Sequence, residues 1–240
     1  MTRFMTSILT ALAGAVLVGS APPALAVDGV VLINENTSVA GLPGCPTGGH
    51  FPIVICQSGS YRLAGNLTVP DADTTAILIT SINVTLDLNG FSISGPTTCS
   101  FTACSPTGIG MGIDTRFPSL TLLGGPTVLN GTVQGMGSTG INLGTSVASR
   151  VEGVQAIGNG EIGIAAAGIV RNNIVSSNGL IGIEARNAVV SGNQVVGNFL
   201  DGLVVDCPSN VVDNAFLFNV SNNLIMHGSG CNLSNNSVFP

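Results

Sequence analysis

Four stretches of the chain fall into one register when laid beneath one another. They are VEGVQAIGNGEIGIAA from Val151, VRNNIVSSNGLIGIEA from Val170, VSGNQVVGNFLDGLVV from Val190 and VVDNAFLFNVSNNLIM from Val211. A partial fifth copy, LSNNSV, begins at Leu233. Two apolar columns run through the alignment: Ile164, Ile183, Leu203 and Leu224, then Ala166, Ala185, Val205 and Met226. Polar positions recur as strictly. Asn159, Asn178, Asn198 and Asn219 form one column, and Asn173, Asn193, Asn214 and Asn236 form another, with Val154 in its place in the first copy. Gly163, Gly182 and Gly202 make a third polar column, broken at Asn223.

A period near 20 residues, built from short β-branched runs with no helical spacing, predicts a solenoid of three-strand coils. Leucine-rich repeats share that length but need a leucine framework the copies lack. Consecutive coils are expected to pair as parallel strands about 4.8 Å apart, with like apolar residues touching inside. Asparagine is expected at corners for two reasons: it tolerates left-handed backbone, and its amide can bond from coil to coil. Glycine is expected at the next corner on the same backbone ground. Looser copies precede the alignment, at Val128-Leu129-Asn130-Gly131 and from Ile82 to Ile93.

Alternation along the Gly-Ile-x-x-Ala/Val strand sends Ile183 and Ala185 inward and Glu184 and Arg186 outward. The outward columns then read Ala165, Glu184, Val204, Ile225 and Ala167, Arg186, Asp206, His227. Arg186, Asp206 and His227 are the candidate catalytic residues, because a carboxylate beside an imidazole can exchange protons. Glu184 is the accompanying ligand-binding candidate. The plainer expectation is charge pairing along a sheet, as Glu152 and Arg171 would make on another strand. Phe199 and Phe218 flank column asparagines and suit either corner packing or contact with a ligand.

The ends break the period. Residues 1–26 read as a secretory leader: Arg3, an apolar run from Ser7 to Gly19, and Ala24-Leu25-Ala26 before Val27. Residues 27–75 are expected to cap the solenoid and 76–240 to form it, in about six or seven coils. The chain stops at Pro240 partway through a coil, so its edge is expected either to be covered by its own tail or to self-associate. No apolar run after the leader is long enough for a membrane helix.

Composition narrows the partners. Only 8% of residues are charged, none is lysine, and without Arg3 five arginines face twelve acids. Such a balance argues against nucleic acid, anionic lipid and acidic polysaccharide. Six cysteines, Cys45, Cys56, Cys99, Cys104, Cys207 and Cys231, read as three disulfides in an oxidising compartment. Of the fifteen connectivities possible, 45–56, 99–104 and 207–231 is the simplest. Their spacing does not suit zinc. Asp71 and Asp73 read as turn residues rather than calcium ligands, so no metal or cofactor is expected.

The run VTLDLNGFSISG, Val84 to Gly95, together with the G-I-x-x-A/V repeats and paired asparagines, resembles right-handed parallel β-helix proteins of the pectate lyase-like superfamily. That resemblance implies the fold over residues 76–240 and leaves the activity open, since the superfamily holds lyases, hydrolases, epimerases, adhesins and scaffolds. The Asn-x-Asp, Asp-Asp, Gly-His-Gly and Arg-x-Lys signatures of its polygalacturonase-like hydrolases are missing. So is the Asp-Pro-His of its alginate epimerases. Two functions are therefore expected: a secreted, non-catalytic scaffold or cell-surface module binding neutral polysaccharide, or a carbohydrate-active enzyme working near Arg186, Asp206 and His227.

Overall fold

The computed structural model describes residues 29–100, 103–116, 124–144 and 148–239. The leader read at residues 1–26 lies outside the described residues. Three parallel sheets wind into a β-solenoid of about eight turns. The first sheet runs from Ile53–Ile55 through Ile77–Ile79, Ile113–Thr115 and Ile141–Leu143 to Asp201–Asp206 and Asn222–His227. The second runs from Val30–Ile33 to Asn232–Ser234. The third runs from Leu67–Thr68 to Ser237–Phe239. A single short helix, Glu35–Ala40, is the one α-helix among the described residues.

The apolar columns stack as the alignment predicts. In the first sheet Ile53, Ile77, Ile113, Ile141, Ile164, Ile183, Leu203 and Leu224 stand in one file. All but Leu224 are no more than 1% exposed. The second sheet contributes Tyr61, Leu86, Val128, Val151, Val170, Val190 and Val211 to the interior. From the third come Leu67, Ile93, Val133, Ala156, Val175, Val195 and Phe216. Each buried aliphatic side chain of this size contributes roughly 1.5–3 kcal/mol, which explains how a chain with so few charges holds a narrow core.

The turn count corrects the expected six or seven, and the reason is local. Residues 53–68, assigned in advance to a cap, supply one strand to each of the three sheets. Their coils lack the asparagine columns, so the alignment could not reach them.

The two asparagine files are continuous ladders. Asn159, Asn178 and Asn198 donate side-chain N–H to the Oδ1 of Asn178, Asn198 and Asn219, at 2.9, 2.9 and 2.8 Å. The backbone N–H of each donor residue bonds the same oxygen, at 3.0, 3.1 and 3.0 Å. Asn173, Asn193, Asn214 and Asn236 repeat the arrangement with 2.9 Å side-chain bonds throughout. Each amide also donates to a carbonyl behind it, as Asn178 does to Ala156 at 3.1 Å. A buried amide that meets all these partners avoids the cost of an unpaired polar group. Asn223, the apparent break in the glycine column, extends the first ladder by accepting from Asn219 at 2.7 Å.

The backbone reason given for these asparagines is not the one the structure shows. Left-handed backbone falls on the residue before each rung: Gly158, Asn172, Ser177, Gly192, Gly197, Asp213, Phe218 and Asn235, with φ between 53° and 65°. The rungs themselves are selected for hydrogen bonding. The glycines of the third column have ordinary φ, and their reason is space, because a Cβ on Gly163 would lie 2.7 Å from Asn178 Nδ2.

All three disulfides take the sequence-local pairing: Cys45–Cys56, Cys99–Cys104 and Cys207–Cys231. Cys207 and Cys231 bridge neighbouring coils with a Cα separation of 5.0 Å, close to one strand spacing.

Candidate functional site

Two outward surfaces carry candidate chemistry. The first is the file on the first sheet, where strand pairing sets Ala167, Arg186, Asp206 and His227 in successive register. Arg186 lies 3.3 Å from Asp206 Oδ2 and 2.6 Å from Glu184 Oε1, so one guanidinium joins two carboxylates. His227 Nδ1 lies 3.4 Å from Asp206 Oδ1. Strand alternation therefore brings all four predicted residues into one chain of contacts.

These groups face open solvent. The side chains of Arg186, Asp206 and His227 are 56%, 43% and 62% exposed. Exposed ion pairs of this kind contribute about 0–1 kcal/mol. Glu184 and Arg186 border a shallow hollow of about 290 Å³ with Thr139, Asn142 and Ile162. Asp206 and His227 are not among the residues lining it. The geometry permits proton exchange between Asp206 and His227, on an open face.

Sequence reasoning missed Asp114, which lies further along the same sheet. Its residue is 4% exposed, and its carboxylate accepts from Asn142 Nδ2 at 3.0 Å and Arg116 Nε at 3.2 Å. Asp114 pairs directly with Asn142, a relation invisible until both strands are placed in the solenoid. Glu152 and Arg171 pair across the second sheet as expected, at 2.9 Å, and Arg150 holds the other carboxylate oxygen. The hydrogen bond from Arg171 lowers the Glu152 pKa; burial opposes it and Arg150 reinforces it. Asp71 serves its own turn, accepting from Asp73 N–H at 3.0 Å and the Thr74 hydroxyl at 2.7 Å.

The second surface is a groove of about 460 Å³ at the corner where the third sheet turns toward the first. The excursion between Gly95 and Gly110, read as a loop, contains an antiparallel hairpin: Thr98–Ser100 pairs with Ala103–Ser105, and Cys99 stands opposite Cys104. This hairpin rests on the solenoid corner. Cys99 Sγ is 3.3 Å from the Gly158 carbonyl, and a Cβ on Gly179 would lie 2.9 Å from Cys104 Sγ. Cys99 and Ser100 form one wall of the groove, Ser176 and Ser177 lie in its floor, and Phe199, Phe218 and Val220 form the far wall. Among the described residues, no charged side chain lines it.

Phe218 is the anomaly of this surface. It occupies the left-handed position that Gly158, Ser177 and Gly197 occupy in earlier coils, with φ of 53°, and its residue is 67% exposed. A bulky residue there is a strained choice. The alignment held the signal, since Phe218 precedes Asn219 where its counterparts are small.

No protein-family model matches the chain, and no curated protein matches it. Among solved structures, the crystal structure of the Dettilon tailspike protein (gp208) is similar over 87% of this chain, at 12% identity and a TM-score of 0.37. The match covers 54% of that tailspike chain, so this chain spans about half its length.

Proposed function

We propose that this chain is an exported β-solenoid surface module that holds a neutral glycan without cleaving it. The observation that carries the reading is the groove beside the Cys99–Cys104 hairpin, concave and, among the described residues, lined by no charged side chain. Such a lining has nothing to repel or neutralise and suits an uncharged ligand. Three disulfides and the leader pattern of residues 1–26 support export to an oxidising compartment. The contact between His227 and Asp206 stands on an open face, where water competes with any proton transfer.

A second reading rests on that same contact. An enzyme of the pectate lyase-like superfamily could use Asp206 and His227, 3.4 Å apart, as an acid–base pair held by Arg186. Incubating the exported chain with a panel of neutral and acidic polysaccharides separates the two. The module reading expects saturable retention of a neutral polysaccharide, with no new reducing ends and no unsaturated products. Turnover that His227→Ala abolishes, in a variant that still folds, would replace the module with the enzyme.

A further inference from the structure

We infer that Phe218 is the sugar-contacting platform of the groove and that the Cys99–Cys104 hairpin is its opposite wall, a site that rests on the neutral-glycan reading. Four observations converge on it. First, the position is structurally wrong for phenylalanine. Its counterparts one and three coils back are glycines, Gly197 and Gly158, and the one between them is Ser177, all left-handed. Strained backbone at a bulky residue persists where the surroundings fix it, and such outliers cluster at ligand sites.

Second, the strain is not offset by core packing. Phe216, two residues earlier, is fully buried, whereas Phe218 is 67% and Val220 70% exposed. A large aromatic left in water is a contact surface.

Third, the hairpin facing it is fastened. The Cys99–Cys104 bond closes the two strands on each other. Close approach of both sulfurs to the corner at Gly158 and Asn159 seats the hairpin on the solenoid. The wall is thus built before any ligand arrives, which reduces the ordering cost of binding.

Fourth, the floor decides the ligand class. Ser176 and Ser177 line the groove, and among the described residues their hydroxyls are not engaged by another protein group. A pyranose ring presents an apolar C–H face to Phe218 and a rim of hydroxyls to those serines. An acyl chain in the same place would cover both hydroxyls without pairing them, at a desolvation cost. A charged sugar would find no counter-ion in the lining.

The test uses the whole exported chain and neutral gluco-, galacto- and manno-hexasaccharides, with the uncharged alcohol decanol as the apolar probe, read by calorimetry. Phe218→Gly is the informative variant, because glycine fits the left-handed backbone as Gly197 does. It is expected to weaken the hexasaccharide bound by the parent at least about tenfold while its melting temperature holds or rises. A purely structural phenylalanine would instead lower the melting temperature. The double variant Cys99→Ser, Cys104→Ser is expected to weaken the same hexasaccharide by releasing the wall. If the parent binds a hexasaccharide and Phe218→Gly binds it equally, the site assignment fails and the neutral-glycan reading stands. If the parent binds none of the sugars, both fail. If the parent binds decanol alone and Phe218→Gly loses it, the groove is real and the sugar assignment is overturned.

Discussion

A Cβ added to Gly182 would lie 2.6 Å from Asn198 Nδ2 and 2.7 Å from the carbonyl oxygen of Gly202. The glycine column and the asparagine ladder thus compete for one space, and the same clash recurs between Gly140 and Asn159 and between Gly202 and Asn219. Gly182→Ala is expected to destabilise the chain by about 2–3 kcal/mol and to lower its melting temperature by about 5–10 °C. Gly158→Ala offers the contrast. That glycine has φ of 61° and no atom within 4 Å of its would-be Cβ, so only backbone strain opposes the change. A cost of about 1 kcal/mol is expected there. Thermal melts of the two variants, side by side, distinguish a glycine kept for space from one kept for conformation.

The ladder sets a second expectation. Asn198 accepts from the backbone and side-chain N–H groups of Asn178, and it donates to Asn219 and to the Val175 carbonyl. Asn198→Leu removes these bonds and leaves the buried backbone N–H of Asn178 without its acceptor, which should cost about 3–5 kcal/mol. Asn236 accepts from both N–H groups of Asn214 and donates to the Val211 carbonyl, at a half-buried last coil where water can substitute. Asn236→Leu should cost less than half as much. Denaturant midpoints measured for both variants check the gradient, and equal losses would contradict it.

Glu152 gives the fold a dependence on acid. Its carboxyl is held below its ordinary value, chiefly by the hydrogen bond from Arg171 and secondarily by Arg150, against an opposing effect of burial. A folded-state pKa below the unfolded one means the unfolded chain binds the proton more readily. The stabilisation is then present above the ordinary carboxylate range and is lost as pH falls through the lowered folded value. Melting temperature plotted against pH should therefore fall on the acid side. In Glu152→Gln, whose amide cannot ionise, that part of the fall should disappear. Parallel curves for the two proteins would show that the guanidiniums of Arg150 and Arg171 do not favour the ionised form.

What could be read from the chain was what repeats. The paired columns Asn159 to Asn219 and Asn173 to Asn236 placed corners, strands and the inward or outward sense of Ile183 and Glu184, because one period forces every coil into the same register. The strands near Ile53, Tyr61 and Leu67 were misplaced, since their coils carry apolar columns without the amides that mark a corner. Local pairing of the cysteines was read as the simplest of the possible connectivities, with Cys207 and Cys231 about one coil apart, and the structure forms that set. Phe218 was legible only as a departure from the repeat, a large side chain before Asn219 where its counterparts are small, and the groove was not legible. One of its walls, Cys99 and Ser100, comes from a hairpin inserted well before the coils it covers. Asp114 escaped notice for a related reason: its partner Asn142 lies across a coil boundary that the alignment never crossed.

The two ion-pair clusters should differ in energy although they look alike in sequence. Arg171 and Glu152 lie 2.9 Å apart, with the Glu152 side chain 20% exposed and a second guanidinium on the same carboxylate. Arg186 and Asp206 are 3.3 Å apart, and both side chains are more than two-fifths exposed. Water screens the second pair more fully, and Glu184 already shares the Arg186 charge. A double-mutant cycle through Arg186→Gln and Asp206→Asn should return a coupling below about 0.5 kcal/mol. The cycle through Arg171→Gln and Glu152→Gln should return about 1 kcal/mol. Molar salt should erase the first coupling and leave part of the second, because screening acts most strongly on exposed charges. A larger coupling for Arg186 and Asp206 would mean that their face is shielded from water, and the acid–base role of Asp206 and His227 would gain the enclosure it now lacks.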